Sequence, residues 1–329
     1  MNKTLSFLIL ILTLAFLVIY YSSRTKTVPE KHTPLVAIAN YGPHSSLEDI
    51  IIGIKSKLEV EGFIENQNIK YLISDVAFDS SMILQMISNL KGQRPDLIVT
   101  ITTPVSQLAK SQIKNIPLVF SGVTDPVISG LIKSDNVQEE NITGCSEKQD
   151  LSLMIDFAKK LIPNAKSIGV LYSTSEINDT SMLKNLRETA EAKSIKVIAI
   201  GIENPRDIPT RMNGFKGNVD FIYVGTSGTI QPALPAIANI AIRMNIPIIN
   251  ADKQAVIENM VLASFGVDYK AIGINTGNMV TKILRGAKIQ DLPPLHPDIH
   301  QHEVYISAKK AKQENIEVPA EFQHNKIGE

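Results

Sequence analysis

The sequence of 329 residues has no tryptophan, one cysteine and no net charge. Lysine plus arginine number 33, as do aspartate plus glutamate, so no overall field would attract nucleic acid or an anionic surface. Cys145 has no partner for an intrachain disulfide, so cysteine usage does not indicate a compartment. Hydrophobic residues at 44% and charged residues at 20% are typical of globular proteins, and the length suits two domains of average size.

Motifs of nucleotide, metal and hydrolytic enzymes are also missing. There is no glycine-rich dinucleotide fingerprint, no Gly-Lys-Ser/Thr phosphate loop, no Gly-x-Ser-x-Gly elbow and no His-Glu-x-x-His. His296, His300 and His302 cluster near the C-terminus with spacings that could bind a metal, but a solvated polar loop among prolines is the favoured interpretation. Cys145 is expected to be a buried structural thiol at a junction between domains. The sequence predicts no metal, no cofactor and no catalysis.

One long hydrophobic run is present, at the N-terminus. Residues 5–21 follow Lys3 and are apolar except for Ser6 and Thr13. A run of about 17 residues is at the lower limit for a membrane span and exceeds most signal h-regions, so an uncleaved anchor and a cleaved signal peptide both fit. No cysteine follows that could carry a lipid. Residues 22–33 are polar and are predicted to be a linker, and the body is expected in the periplasm.

From residue 34 onward, short β-branched runs alternate with longer amphipathic stretches, which predicts parallel sheets with helical crossovers. A first series of strands is predicted at 35–39, 69–73, 96–101 and 117–120. A second series follows in the same order at 168–172, 196–200, 220–224 and 245–249. The repetition indicates two structurally duplicated lobes.

The remaining C-terminal part contains predicted strands at 261–265 and 303–307 around a helix at 271–285. We expect it to be a further βαβ unit, without a counterpart in the first lobe, that crosses between the lobes and forms a hinge. The predicted fold is α/β, with two similar Rossmann-like lobes joined by a multi-strand hinge. The predicted divisions are 1–33 for the N-terminal segment and linker, 34–145 plus about 266–292 for lobe 1, and 146–265 plus about 293–329 for lobe 2.

In open parallel sheets, ligands bind beyond the carboxyl ends of the strands. The loops after most predicted strands are rich in hydroxyl groups, which together with helix N-termini favour a carboxylate: 40–46, 102–106, 121–126, 173–178 and 225–229. The segment 250–252, Asn-Ala-Asp, follows the predicted strand at 245–249. The same residue types also cap helices in any α/β protein. Tyr41 and His44 could form an aromatic wall and a polar contact for the ligand, or they could form a capping turn.

Several segments between about residues 34 and 315 form an ordered set: 95–99 with 103–104, 116–120 with 123–126, 141–144, 166–172 with 175–178, and 266–269. As a set they resemble the ABC transporter substrate-binding proteins of the tryptophan/tyrosine type. The resemblance implies a type I periplasmic-binding-protein fold. It also implies that a ligand binds between open lobes, that closure buries it, and that the closed form docks on a membrane permease.

The resemblance also suggests which residues bind ligand. By resemblance, these residues fall where cleft residues lie: Tyr41, Thr103, Thr124, Asp125, Ser175, Asn178 and Thr226. His44, Pro104 and Asp252, from the same loops after the strands, complete the candidates. Ser227 and Lys253 occupy positions where family members often have acidic residues, which removes one carboxylate partner for an α-ammonium group. Asp125, Asp252 or Asp268 could replace it.

The predicted function is the solute-binding component of an ABC importer that captures a small molecule, with an amino acid as the candidate ligand. Its expected partners are that ligand, a permease in the inner membrane, and the membrane itself through the N-terminal segment. A membrane-tethered sensory module of the same fold is the alternative, although no second apolar span or output domain is evident. An enzyme on a doubled α/β scaffold would require an acid/base pair assembled from separate loops.

Overall fold

The computed structural model describes residues 7, 11–18, 20, 32–136, 139 and 141–328. Residues 7, 11–18 and 20 are helical and exposed. The other residues of the predicted anchor and linker, up to residue 31, lie outside the described residues, so both N-terminal alternatives stay predictions. Within the described ranges, no helix has the length and hydropathy needed to cross a membrane.

The first sheet has five parallel strands in the order β2-β1-β3-β4-β5. Its strands are β1 (Leu35–Ala39), β2 (Lys70–Ser74), β3 (Leu97–Ile101), β4 (Leu118–Val123) and β5 (Ile142–Ser146). The helices after β1, β2 and β3 are α1 (Ser45–Val60), α2 (Ile83–Gly92) and α3 (Thr103–Gln112). Strands β3, β4 and β5 are buried along their whole length, as expected when helices cover both faces of a parallel sheet.

The second sheet has seven strands in the order β12-β11-β10-β9-β8-β6-β7. Its strands are β6 (Ser167–Ser173), β7 (Lys196–Ile202), β8 (Phe221–Val224), β9 (Ile248–Asn250), β10 (Ala263–Val267), β11 (His302–Ser307) and β12 (Lys326–Ile327). The remaining helices are α4 (Leu151–Leu161), α5 (Ile177–Ala192), α6 (Ile208–Arg211), α7 (Leu234–Met244), α8 (Gln254–Ile257), α9 (Tyr269–Leu284) and α10 (Ala308–Gln313). The order β7-β6-β8-β9-β10 repeats that of the first sheet, which confirms two duplicated parallel α/β lobes.

The predicted C-terminal part is wrong in two respects. Strand β5 is the first-lobe counterpart of β10, but its sequence Ile-Thr-Gly-Cys-Ser combines few strand-favouring residues with a glycine, so the pattern does not predict it. The tail is also not a parallel βαβ unit, since β11 pairs antiparallel with β10. The physical reason is that α9 packs on α1 of the first lobe, so the chain re-enters the second sheet from the end at which β10 left it.

Helices α1 and α9 approach closely because glycines lie at their contact. A Cβ atom on Gly273 would lie 2.2 Å from the carbonyl oxygen of Ile50, and one on Gly53 would lie 2.3 Å from that of Lys270. Side chains of α9, including Met279 and Val280, join the hydrophobic core of the first lobe. The predicted division of the chain between the two lobes stays a prediction.

The chain crosses between the lobes after β5, after β10 and before β11, and two histidines join the first and last of these crossings. His296 Nδ1 lies 2.8 Å from Ser146 Oγ, and His302 Nε2 accepts the main-chain N–H of Asp150 at 3.0 Å. In the described ranges, no three His, Cys, Asp or Glu side chains are grouped as metal ligands. Cys145 is 2% exposed, and its burial raises the pKa of the thiol to about 12.

Candidate functional site

The loops at the carboxyl ends of both sheets enclose a cleft that contains three adjoining cavities. The central cavity has a volume of about 70 Å³ and walls from both lobes. The second, which we call the mouth cavity, has a volume of about 550 Å³ and shares five lining residues with the central cavity: Tyr41, Phe78, Pro104, Glu176 and Gly228. The third, which we call the hinge-side chamber, has a volume of about 250 Å³ and shares three lining residues with the central cavity: Thr124, Glu147 and Thr226.

Most of the predicted ligand-binding residues come together in the central cavity. They are Tyr41, His44, Thr103, Pro104, Thr124, Asn178, Thr226 and Asp252. Asp125 instead faces the hinge-side chamber, where its carboxylate caps two main-chain N–H groups and lies 3.7 Å from Lys148 Nζ. Ser175 lines the mouth cavity. Ligand binding by all ten residues stays a prediction.

On the first-lobe wall, the N-terminus of α3 is open toward the central cavity. Thr102 has a φ of +80°, which a β-branched residue rarely adopts, and its side chain does not cap the helix. The Thr102 Oγ1 atom is buried without a hydrogen-bond partner. Such strain concentrates at ligand sites, and a helix N-terminus favours anionic groups. This wall therefore offers a hydroxyl and a positive helix end.

The second-lobe wall begins with Glu176, immediately before α5. Its Oε1 accepts the hydroxyl of Thr229 at 2.6 Å, and its Oε2 accepts the main-chain N–H of Gly228 at 3.1 Å. Helix α5 begins at Ile177, directly after Glu176. This start places a carboxylate and the first turn of the helix beside the loop that follows β8.

Asn178, in the first turn of α5, presents a fixed acceptor to the central cavity. Its Nδ2 donates to Asp179 Oδ1 at 3.1 Å and to the carbonyl oxygen of Thr226 at 3.2 Å. These bonds orient the amide, and its Oδ1 is buried without a partner. Burial raises the pKa of Asp179 to about 8, and the neighbouring charge of Glu176 acts in the same direction. The wall is therefore an ordered polar cluster with one unused acceptor.

Glu147 separates the central cavity from the hinge-side chamber. It lies on the crossing after β5, is 7% exposed and accepts the hydroxyl of Thr124 at 2.9 Å. Hydroxyls of Thr226 and Tyr269 also bond to it, so its partners come from both lobes and from α9. Burial raises the pKa of Glu147 to about 7, while the three hydroxyls favour the anion and limit the rise.

Aromatic rings separate the central cavity from the mouth cavity. The Tyr41 ring is 4% exposed, and its centroid lies 5.5 Å from that of Phe78 in an edge-on arrangement at 79°. A Cβ atom on Gly228 would lie 2.3 Å from Cε1 of Tyr41. The missing side chain at this second-lobe position therefore allows the first-lobe ring to pack against the opposite loop.

Polar contacts also span the two lobes. His44 caps α1 through Nδ1, which is one of the two roles predicted for it, and its Nε2 lies 3.4 Å from Asp252 Oδ2. The other role, a polar contact with ligand, stays a prediction. Lys253 occupies a position where family members often have an acidic residue. Its Nζ lies 3.6 Å from Asp49 Oδ2, so this lysine contacts the other lobe. Among the described lining residues, the central cavity has carboxylates but no lysine or arginine. The lobes are closed on a cavity that suits a cationic group.

Sequence reasoning missed several residues of the central cavity. Glu147 and Tyr269 lie on the crossings between lobes, and no local motif shows that crossings reach the cleft. Phe78 lies in the loop after β2 with a φ of +64°, for which no signal exists in its sequence. Glu176 could have been found, because it directly follows Ser175 in a segment that carries the family resemblance.

Comparisons with known proteins agree with this architecture. Residues 35–325 match the family model of the ABC transporter substrate-binding proteins. The chain is 30% identical over 272 residues to a tyrosine-binding protein of Clostridioides difficile strain R20291, covering 83% of this chain and 79% of that protein.

Two solved structures are similar over most of the chain. A Streptococcus pneumoniae ABC domain in complex with L-Trp matches with a TM-score of 0.85 at 27% identity, covering 90% of this chain and 100% of that one. A ligand-free, open substrate-binding protein with adhesive properties from Clostridium difficile matches with a TM-score of 0.70 at 28% identity, covering 89% and 99%. The TM-score is lower for the structure that is described as open. The chain belongs to the family of ABC transporter substrate-binding proteins.

Proposed function

We propose that this protein captures an aromatic α-amino acid between its lobes and delivers it to a membrane permease. The observation that carries the proposal is a pair of buried, unpartnered polar atoms on opposite walls of the central cavity: Thr102 Oγ1 and Asn178 Oδ1. A buried polar atom without a partner costs about 1–3 kcal/mol. A ligand that bonds to both atoms removes this cost in the closed form.

The two atoms suit the two ends of an amino-acid head group. Asn178 Oδ1 can accept from the ammonium group, with the carboxylates of Glu176 and Asp252 on the same cavity walls. The ligand carboxylate then lies at the N-terminus of α3, where Thr102 supplies a hydroxyl and the helix supplies its positive end. Aromatic rings on the cavity walls, such as that of Tyr269, would pack against the ligand side chain.

Closure supplies the selectivity of capture. A ligand shifts the equilibrium between open and closed lobes only by its difference in affinity for the two states. A head group that bonds to Thr102 in one lobe and Asn178 in the other has that difference, because no open form can offer both contacts. The closed protein would act outside the cytoplasmic membrane, where the N-terminal segment directs or tethers it.

Support for the ligand class also comes from the relatives, since one is named for tyrosine and another is solved with L-Trp.

The test is calorimetric titration of the full-length protein, purified in detergent, with L-tyrosine, L-tryptophan and L-phenylalanine. The corresponding amines, which lack the carboxylate, and the corresponding deaminated acids are titrated in parallel. We expect sub-millimolar binding of at least one amino acid and at least roughly tenfold weaker binding of both its analogues, as for a lost charged hydrogen bond.

Two substitutions locate the head group. Asn178→Leu and Thr102→Val should each weaken the amino acid by about tenfold, since each removes one polar contact. Thr210→Val, at an exposed threonine on α6, is the matched control and should leave affinity unchanged. The proposal fails if the wild-type protein binds none of the three amino acids, or if the deaminated acid binds as tightly as the amino acid.

A further inference from the structure

We propose that the hinge-side chamber binds a hydroxyl group at the far end of the ligand side chain, and that Gln149 determines this specificity. The ligand would then be an amino acid with a phenolic side chain. This inference rests on the proposed function, because it places the amino-acid head group between Thr102 and Asn178.

The size of the central cavity requires the ligand to extend beyond it. Pockets for small ligands have volumes of about 300–1,000 Å³, so a cavity of about 70 Å³ is too small for a whole aromatic amino acid in this closed form. The amino-acid head group, between Thr102 and Asn178, occupies this cavity. An aromatic ring must therefore continue into the mouth cavity or the hinge-side chamber.

The structure favours the hinge-side chamber. On the mouth side, the ring of Tyr41 packs against Gly228 and narrows the passage. On the hinge side, Glu147 separates the central cavity from the hinge-side chamber, together with the threonine hydroxyls of Thr124 and Thr226 that hydrogen-bond to it. A ligand hydroxyl can replace these hydrogen bonds. The chamber of about 250 Å³ has ring and aliphatic surface on its walls, including Tyr223.

Gln149 supplies the polar group that a phenol would meet there. It lines the chamber together with Glu147, and its Oε1 accepts the hydroxyl of Tyr223 at 2.6 Å. This bond fixes the amide, and Gln149 Nε2 is left buried without a partner. A phenolic hydroxyl can accept from Nε2 and donate to the carboxylate of Glu147. A phenyl ring can do neither, so it leaves the amide donor unsatisfied.

Sites that hydrogen-bond a ligand hydroxyl discriminate strongly against the analogue that lacks it, because the protein groups remain unpaired. L-Tyrosine and L-phenylalanine form such a pair, with the same head group and ring. We expect the wild-type protein to bind L-tyrosine about tenfold or more tightly than L-phenylalanine. Gln149→Met keeps the length of the side chain but removes the donor, so it should weaken L-tyrosine and leave L-phenylalanine unchanged.

The experiment is calorimetric titration of the full-length protein in detergent with both amino acids, for the wild type, Gln149→Met and Tyr223→Phe. Tyr223→Phe frees the amide and should reduce the preference only in part. Gln323→Met, at a glutamine whose Nε2 donates to Val318 outside the cleft, is the control and should keep the wild-type preference. Thermal unfolding identifies any variant that does not fold.

Equal wild-type affinity for the two amino acids would overturn this inference and leave the proposed function intact. The inference is likewise overturned if a folded Gln149→Met protein keeps the full preference for L-tyrosine. Binding of neither amino acid by the wild type would overturn the inference, and it would overturn the proposed function as well only if L-tryptophan is not bound either. A wild-type preference for L-tyrosine supports the inference even if Gln149→Met does not fold.

Discussion

Replacement of Gly228 by alanine should impair closure without harming either lobe. The new Cβ atom would lie 2.3 Å from Cε1 of Tyr41, so the ring must move by about 1 Å or more to reach an ordinary contact. That ring is 4% exposed and packs edge-on against Phe78, which leaves it little space to move. Overpacking of this kind costs about 1–3 kcal/mol.

The cost arises only in the closed form, because Tyr41 belongs to the first lobe and Gly228 to the second. Gly228 does not have a positive φ, so its backbone accepts alanine without strain. The closure equilibrium should therefore shift by about 1–3 kcal/mol, which weakens ligand affinity by roughly 5- to 150-fold. The midpoint of thermal unfolding without ligand should stay within about 1 °C of wild type.

Calorimetric titration with the best-binding amino acid measures the change in affinity. Gly92→Ala is the matched control, because a Cβ atom there would meet nothing within 4 Å. A double variant that also carries Tyr41→Leu should lose less affinity from the alanine than the single variant does, since the two positions are coupled. Unchanged affinity in Gly228→Ala would refute the reasoning that this contact belongs to the ligand-bound state.

Three further predictions concern stability and reactivity. Gly273→Ala should lower the free energy of unfolding by about 1–3 kcal/mol in chemical denaturation, because its Cβ would meet the main chain of Ile50 at 2.2 Å; unchanged stability would contradict the close α1–α9 contact. The pKa values of Asp179 and Glu147 are raised from 3.8 and 4.5 to about 8 and about 7, so the folded protein retains protons that the unfolded chain has released. The unfolding free energy should therefore decrease as pH rises from about 4 to 8, and Asp179→Asn should flatten that slope; an identical slope in the variant would contradict this. Burial raises the pKa of Cys145 to about 12, so a thiol reagent should react at pH 8 only after denaturation, and reaction in the folded protein would contradict the packing of β5.

The duplicated lobes are predictable because their strands have a simple physical signature. Parallel strands buried on both faces are short hydrophobic runs rich in β-branched and aromatic residues, and β3 and β8 have this composition. Strand β5 does not, since Gly144 and Cys145 interrupt it, so only the structure shows that it completes the first sheet. The duplicated order of the other strands was nevertheless enough to predict the cleft between two lobes.

The missed features depend on contacts between distant parts of the chain. The antiparallel pairing of β11 follows from the packing of α9 on α1. Gly53 and Gly273 permit this packing, but no pattern in the sequence predicts it. Glu147 and Gln149 reach the cleft only because the crossing after β5 runs behind it. Loop residues directly after strands, such as Thr103 and Thr226, were predictable because the carboxyl ends of parallel strands meet at one edge.

The most direct test of the central claim is to identify what the protein retains from a mixture. The full-length protein is incubated with the standard amino acids, separated from free solutes by gel filtration and denatured, and the released molecules are measured by mass spectrometry. The account predicts that an aromatic amino acid is released unchanged and in near-equimolar amount. Release of no amino acid, of a non-aromatic one, or of a chemically altered product would contradict it.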